Sequence, residues 1–148
     1  MNTIDINYEI DEFQNIISQE EVTFWVEKIL SELSCNNKIL SLYFTTDEIM
    51  KDLNKNYRKK DYITDVLSFP NETKDPFSDP SFLGDIAICI PQAKRQAEER
   101  KNDIISEIKF LILHGILHLS GYDHENDNGE MEKIEKDIYY KLTGEKIE

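Results

Sequence analysis

Between Asp103 and Leu119 apolar side chains fall almost all round the helical wheel, which leaves this segment one place in a folded domain, its middle. Its densest part, Phe110 to Leu119, covers about half of the roughly 20 residues needed to span a bilayer, and it contains two histidines. A membrane span is therefore not expected, and the rest of the chain has to wrap a buried rod. The 148 residues, 39% of them hydrophobic, suffice to do so as one domain over residues 1–148. The first dozen residues carry Asp5, Glu9, Asp11 and Glu12 and no basic residue, unlike the start of a secretory signal, so a cytoplasmic location is expected.

The flanking sequence supplies the wrapping. Alternation of Ile4, Ile6, Tyr8 and Ile10 predicts a first strand. Ser18 to Ser34 reads as a helix whose Val22, Trp25, Val26, Ile29, Leu30 and Leu33 recur at helical spacing, which makes Trp25 a core residue. A β-rich run, Ile39 to Phe44, leads through the cap residues Thr45, Thr46 and Asp47 into a helix with Ile49, Met50, Leu53 and Tyr57 on its apolar stripe. Asp65 to Phe69 is a third strand closed by Pro70, residues 71–82 are a loop, and Gly84 to Ile90 is a fourth strand buried on both faces. Pro91 fits the first turn of a helix ending near Asn102, Gly121 stops the central helix, and Met131 to Leu142 keeps Ile134, Ile138 and Leu142 on one face before Gly144. The pattern predicts a single α+β or α/β domain of about four strands and five helices.

Cys35 and Cys89 form no Cys-x-x-Cys pair, so neither a disulfide scaffold nor a thiolate metal site is implied, and Cys89 reads as a small buried thiol. The net charge of −13 argues against indiscriminate attraction to nucleic acid or anionic lipid. It is unevenly spread: residues 51–60 carry a local +4 through Lys51, Lys55, Arg58, Lys59 and Lys60, and residues 91–101 a local +2. Two readings stay open, a positive cleft on a repelling body or ordinary solvated helix faces.

All three histidines of the chain, His114, His118 and His124, lie within eleven residues. The first two are four apart on the central helix and project from the same face, and the glycine turn at Gly121 lets the chain double back with the third. Three imidazoles beside an apolar helix are costly to bury without partners, so a metal is expected in preference to hydrogen-bonded core histidines. Three nitrogens with an open fourth position describe a catalytic zinc site better than a closed structural one. The spacing also matches the metzincin protease pattern, but where those enzymes carry a glutamate general base this chain has Gly115, which demotes peptide hydrolysis. Gly115 either admits a substrate or backbone close to the metal or permits tight helix packing. Asp123 either orients an imidazole or caps the turn.

The run from His114 to His124, HGILHLSGYDH, closely resembles the signature of the bacterial YbeY family of zinc-dependent endoribonucleases. Leu53-Asn54, Tyr57-Arg58, Asp61 and Thr64 to Pro70 resemble a second family hallmark and Leu83 to Ile86 a third, with Ser120 and Ile63 as small departures. The resemblance implies an α+β fold, a small mixed four-stranded sheet surrounded by about five helices, with zinc held by His114, His118 and His124. It implies a functional arginine at Arg58; Arg58 and His114 are expected to be catalytic, and Arg58, Lys59 and Ser68, a polar side chain able to face a cleft, to bind substrate. A planar guanidinium grips a phosphate through two hydrogen bonds, which is why Arg58 suits that role. Lys59 and Lys60 either track neighbouring phosphates or are simply solvated, and Asp85 either serves the site or steadies the turn at Gly84. The activity implied is single-strand-specific cleavage of RNA by zinc-activated water in ribosomal RNA processing (16S rRNA 3′-end maturation) and ribosome quality control. The partners implied are precursor rRNA, a small-subunit ribosomal protein and an Era-type GTPase. The competing expectation is a zinc-stabilised ribosome-assembly factor with little catalysis of its own, for which the −13 charge is the motive.

Overall fold

A computed structural model describes residues 1–71, 79–122 and 127–146. The strands are β1 (Thr3–Tyr8), β2 (Ile39–Thr45), β3 (Val66–Pro70) and β4 (Phe82–Cys89). The helices are α1 (Gln19–Glu32), α2 (Asp47–Arg58), α3 (Ile90–Glu99), α4 (Ile104–Leu119) and α5 (Glu130–Thr143). The sheet order is β1-β2-β4-β3, with β1, β2 and β4 parallel and β3 antiparallel at the edge. This is the expected mixed α+β domain. Among the described residues no helix is long and apolar enough to cross a membrane.

Helix boundaries follow from their caps. Ser18 Oγ accepts from the Glu21 N–H at 3.1 Å while Glu21 Oε1 accepts from the Ser18 N–H, a capping box. Asp103 accepts from the Ser106 N–H at 2.7 Å at the start of α4, and that bond holds its carboxyl below the usual carboxylate range. At the other end Gly121 takes a φ of +101°, which costs a glycine little and ends the helix where its spacing predicts. The first strand stops at Tyr8: Ile10, expected to continue it, precedes a short 3-10 turn, Asp11–Asn15. The acidic residues Asp11 and Glu12 suit the first turn of a helix, and the turn buries Phe13 against the core, a gain that further alternation does not offer.

α4 is the buried rod. Ile108, Ile112, Leu113, Ile116 and Leu117 are fully buried and pack with Leu40, Leu42, Phe44, Ile86 and Ile88 of the sheet and with Val26, Ile29 and Leu30 of α1. Trp25 is in the same core, its indole N–H donating to the Lys109 carbonyl at 2.9 Å. On the opposite face of the sheet α2 covers a smaller cluster of Met50, Leu67, Ala87 and Cys89. β4 is therefore buried on both faces from Ile86 onward, with Asp85 exposed. α2 and α4 thus lie on opposite faces and both come within reach of the edge strand β3.

Candidate functional site

His114 and His118, one turn apart on α4, bring their Nε2 atoms to 3.2 Å from each other. Two features seat the helix that carries them. A Cβ on Gly115 would stand 2.9 Å from the Ile86 side chain, so the missing side chain serves close helix-on-sheet packing, the second of the two readings its sequence left open. The Ser68 hydroxyl donates to the Gly115 carbonyl at 3.2 Å, tying α4 to β3 at the level of the histidines. His114 Nδ1 lies 2.9 Å from Oε2 of Glu135, whose side chain is 6% exposed. A carboxylate there accepts a hydrogen bond from Nδ1–H and so leaves the Nε2 lone pair facing outward, the usual arrangement behind a metal-ligating histidine.

The separation of the two nitrogens tests whether the pair suits a shared ion. Two nitrogens about 2.0–2.1 Å from one tetrahedral zinc lie about 3.3–3.4 Å apart, close to the 3.2 Å observed. The two histidines and the carboxylate behind one of them fit such an ion. Among the described residues no group of three ligating side chains forms; the expected third ligand, His124, and its neighbour Asp123 lie outside them.

These imidazoles open into a cleft of about 550 Å³ along the outer edge of β3. Tyr57 and Arg58 from the end of α2 line it, as do Thr64 to Ser68, Pro70, His114, His118, Gly121 and Tyr122. Arg58, Ser68, His114 and His118 are thus brought together. Lys59, expected to touch substrate, is not in that lining: its backbone closes α2 in the left-handed region (φ 59°) and its ammonium reaches back to the Asn56 carbonyl at 3.5 Å. Asp85 is also outside the lining, exposed and paired in register with Phe69 on β3.

Ion pairing sorts the three arginines of the chain, all of them exposed. Arg95 clasps Asp47 with two bonds, 2.7 and 3.0 Å, and Arg100 pairs with the buried Glu107 at 3.0 Å. Among the described residues Arg58 belongs to no ion pair, so its guanidinium is available at the cleft. Of the two basic segments, residues 91–101 therefore spend both arginines on the scaffold, and residues 51–60 bring charge to the site. Cys89 is no nucleophile: burial, reinforced by the neighbouring Asp47 carboxylate, pushes its thiol up to about 12.

Three side chains that brace the site receive no role from the sequence, although Asn54 and Asp65 fall within its second hallmark. Glu135 is the clearest, although a glutamate between Met131 and Ile138 on the buried face of α5 is a detectable anomaly. Asp65 is the one carboxylate in the described cleft lining, fixed by the Val66 N–H at 2.8 Å and by the Gln96 amide at 3.2 Å. Asn54, fully buried, donates to the Tyr62 carbonyl at 2.8 Å and so pins the loop between Arg58 and Asp65 to α2.

By fold and site this is an α+β protein in which a buried central helix delivers paired imidazoles to a cleft at the edge of a mixed sheet, facing an arginine from the other side. The sequence pattern of the family described as Endoribonuclease YbeY matches residues 5–143. The chain belongs to that family. It is 43% identical over 127 residues to Endoribonuclease YbeY of Aquifex aeolicus, covering 86% of this chain and 83% of that one. It is 49% identical over 107 residues to the Nautilia profundicola protein of the same name, covering 72% and 74%. The solution structure of TM1509 from Thermotoga maritima superposes with a TM-score of 0.66 at 28% identity, over 96% of this chain and 90% of that one.

Proposed function

We propose that this protein is a zinc-dependent, single-strand-specific endoribonuclease that hydrolyses phosphodiester bonds in precursor ribosomal RNA, acting in 16S rRNA 3′-end maturation and ribosome quality control. The observation that carries it is the convergence of His114 and His118 in a cleft that Arg58 also lines. His114, His118 and His124 would hold the ion, which when bound supplies Lewis acidity and brings the ionisation of water towards neutral pH.

The chain's own side chains do the rest. Glu135 fixes the tautomer of His114 and keeps its ring from swinging out of the cleft. Arg58 grips the phosphate and balances the charge that builds on its oxygens as the bond breaks. Ser68 donates its hydroxyl hydrogen bond to the Gly115 carbonyl, which leaves its oxygen an acceptor for substrate while the bond keeps α4 in place. The charge of −13 repels stray polyanions, which suits an enzyme delivered to one site by a small-subunit ribosomal protein and an Era-type GTPase.

The test is metal analysis and cleavage on the same freshly isolated material. Stoichiometric zinc, and a 5′-phosphate on the downstream RNA fragment, are expected. Arg58→Ala should cut cleavage roughly 100-fold or more with zinc retained. Recovery of 2′,3′-cyclic phosphate ends alone would make the ribose hydroxyl the nucleophile and overturn hydrolysis. Zinc retained without any cleavage, alongside binding to small-subunit components, would point to an assembly factor instead.

A further inference from the structure

Along α2 the inward stripe runs through Met50, Leu53, Asn54 and Tyr57, at the three- and four-residue spacing that faces a sheet. Met50 and Asn54 are fully buried, yet Tyr57, which the sequence places on the same stripe, is 52% exposed. The stripe has run off the sheet: β3 is the last strand, and the final member of the stripe stands at its edge, in the lining of the cleft. Of the large apolar side chains exposed among the described residues, Met1, Ile10, Phe24, Tyr57, Tyr62 and Tyr140, Tyr57 is the one in that lining. Its ring is not loose. It meets the Phe69 ring edge to face, centroids 4.4 Å apart at 61°, and Phe69 packs on the small cluster beneath α2. An aromatic ring held from one side, half open to solvent and adjacent in sequence to an unpaired arginine, is what a nucleobase stacks on when its phosphate is held next door.

We propose that Tyr57 is the base-binding platform of the cleft, stacking one unpaired nucleobase of a single-stranded polyribonucleotide beside the phosphate that Arg58 holds. The proposal rests on the reading of the cleft as the RNA site. It supplies a physical basis for strand selectivity: a base in a duplex is already stacked and paired and has no face to offer, whereas an unpaired base gains a ring. Specificity for one base is not expected, since every base has a π-face.

The test is binding, not turnover, on the full-length protein as isolated, with a 2′-O-methyl single-stranded oligoribonucleotide that resists cleavage and carries 2-aminopurine at successive positions. Stacking quenches that fluorophore. Tyr57→Leu keeps an apolar contact with Phe69 but has no π-face; it should bind about five- to hundredfold more weakly and lose the quenching. Tyr57→Phe should bind within about twofold of the parent, and Tyr140→Ala, an exposed aromatic outside the cleft, should be indistinguishable from it. A thermal melt shows that each variant is folded. Unchanged affinity and quenching in Tyr57→Leu would overturn the proposal, as would failure of the parent to bind the single strand at all. If unmodified RNA is not cleaved but the Tyr57-dependent quenching persists, the nuclease reading fails and the platform stands.

Discussion

Two glutamates are buried at α4, one on its first turn and one against its C-terminal half, and they do different work. Glu107, on its first turn, is 1% exposed; Glu135, on α5, is 4% exposed and meets α4 two turns later at His114. Glu107 accepts from Arg100 at 3.0 and 3.3 Å and from the Gln96 amide at 3.1 Å. Arginine is permanently charged, so that end is a closed account of opposite charges with nothing left over for chemistry. Glu135 faces an imidazole, whose second nitrogen points onward into the cleft towards His118. A buried carboxylate on a guanidinium braces the fold, whereas one on a histidine aims that histidine at something else.

If that distinction holds, the largest separation between the two ends lies in metal affinity. Glu135→Gln should weaken zinc binding by about 10- to 100-fold in a competition with a chromophoric chelator, through loss of the carboxylate behind His114. Glu107→Gln should leave it unchanged, because seven helical residues place Glu107 about 10 Å along the axis from His114. Equal loss in both variants would mean that α4 transmits any disturbance to the histidines and that the ends are not separable. The next effect is on stability and belongs to the other end. Arg100→Ala leaves Glu107 with Gln96 alone and should cost about 1–2 kcal/mol in urea unfolding, with zinc affinity intact. Arg100 is itself 59% exposed, so the cost falls short of the 3–5 kcal/mol typical of breaking a fully buried pair. No change in the urea midpoint would show that Glu107 needs no cation.

The same contrast marks where sequence reading succeeds. The paired histidines are legible because their partner is the helix itself: a spacing of four puts His114 and His118 on one face whatever else the chain does. The helix ends are legible because Ser18, Asp103 and Gly121 act on residues within three or four positions. Glu135 lies 21 residues from His114, and only the packing of α5 on α4 joins them. The unpaired state of Arg58 is likewise invisible in a charge count, since it depends on Arg95 finding Asp47 48 positions away and Arg100 finding Glu107. Tyr57 misleads for a related reason, because periodicity gives the face of a helix but not where the sheet beneath it stops.

A third acidic pair sets the scale for the first two. Arg95 holds Asp47 with two nitrogens on its two oxygens, where Arg100 reaches both Glu107 oxygens from one nitrogen, but here the side chains are 46% and 36% exposed. The guanidinium of Arg95, with a smaller contribution from the Cys89 thiol 3.2 Å away, lowers the Asp47 carboxyl below its ordinary 3.8. Its stabilisation is therefore present above the unfolded value near 3.8 and is lost as the pH falls through the lower folded value. Because the Cys89 thiol is pushed up to about 12, it stays a donor to Asp47 throughout this range. Asp47→Asn should cost below about 1 kcal/mol at neutral pH, less in added salt, and the unfolding curves of variant and parent should converge as the pH drops beneath 3.8. A loss at neutral pH as large as that of Arg100→Ala would mean that burial adds nothing to a carboxylate–guanidinium pair in this protein. Glu107 would then be one surface-strength contact among several, and the difference between the two ends of α4 would reduce to whether the partner is an arginine or a histidine.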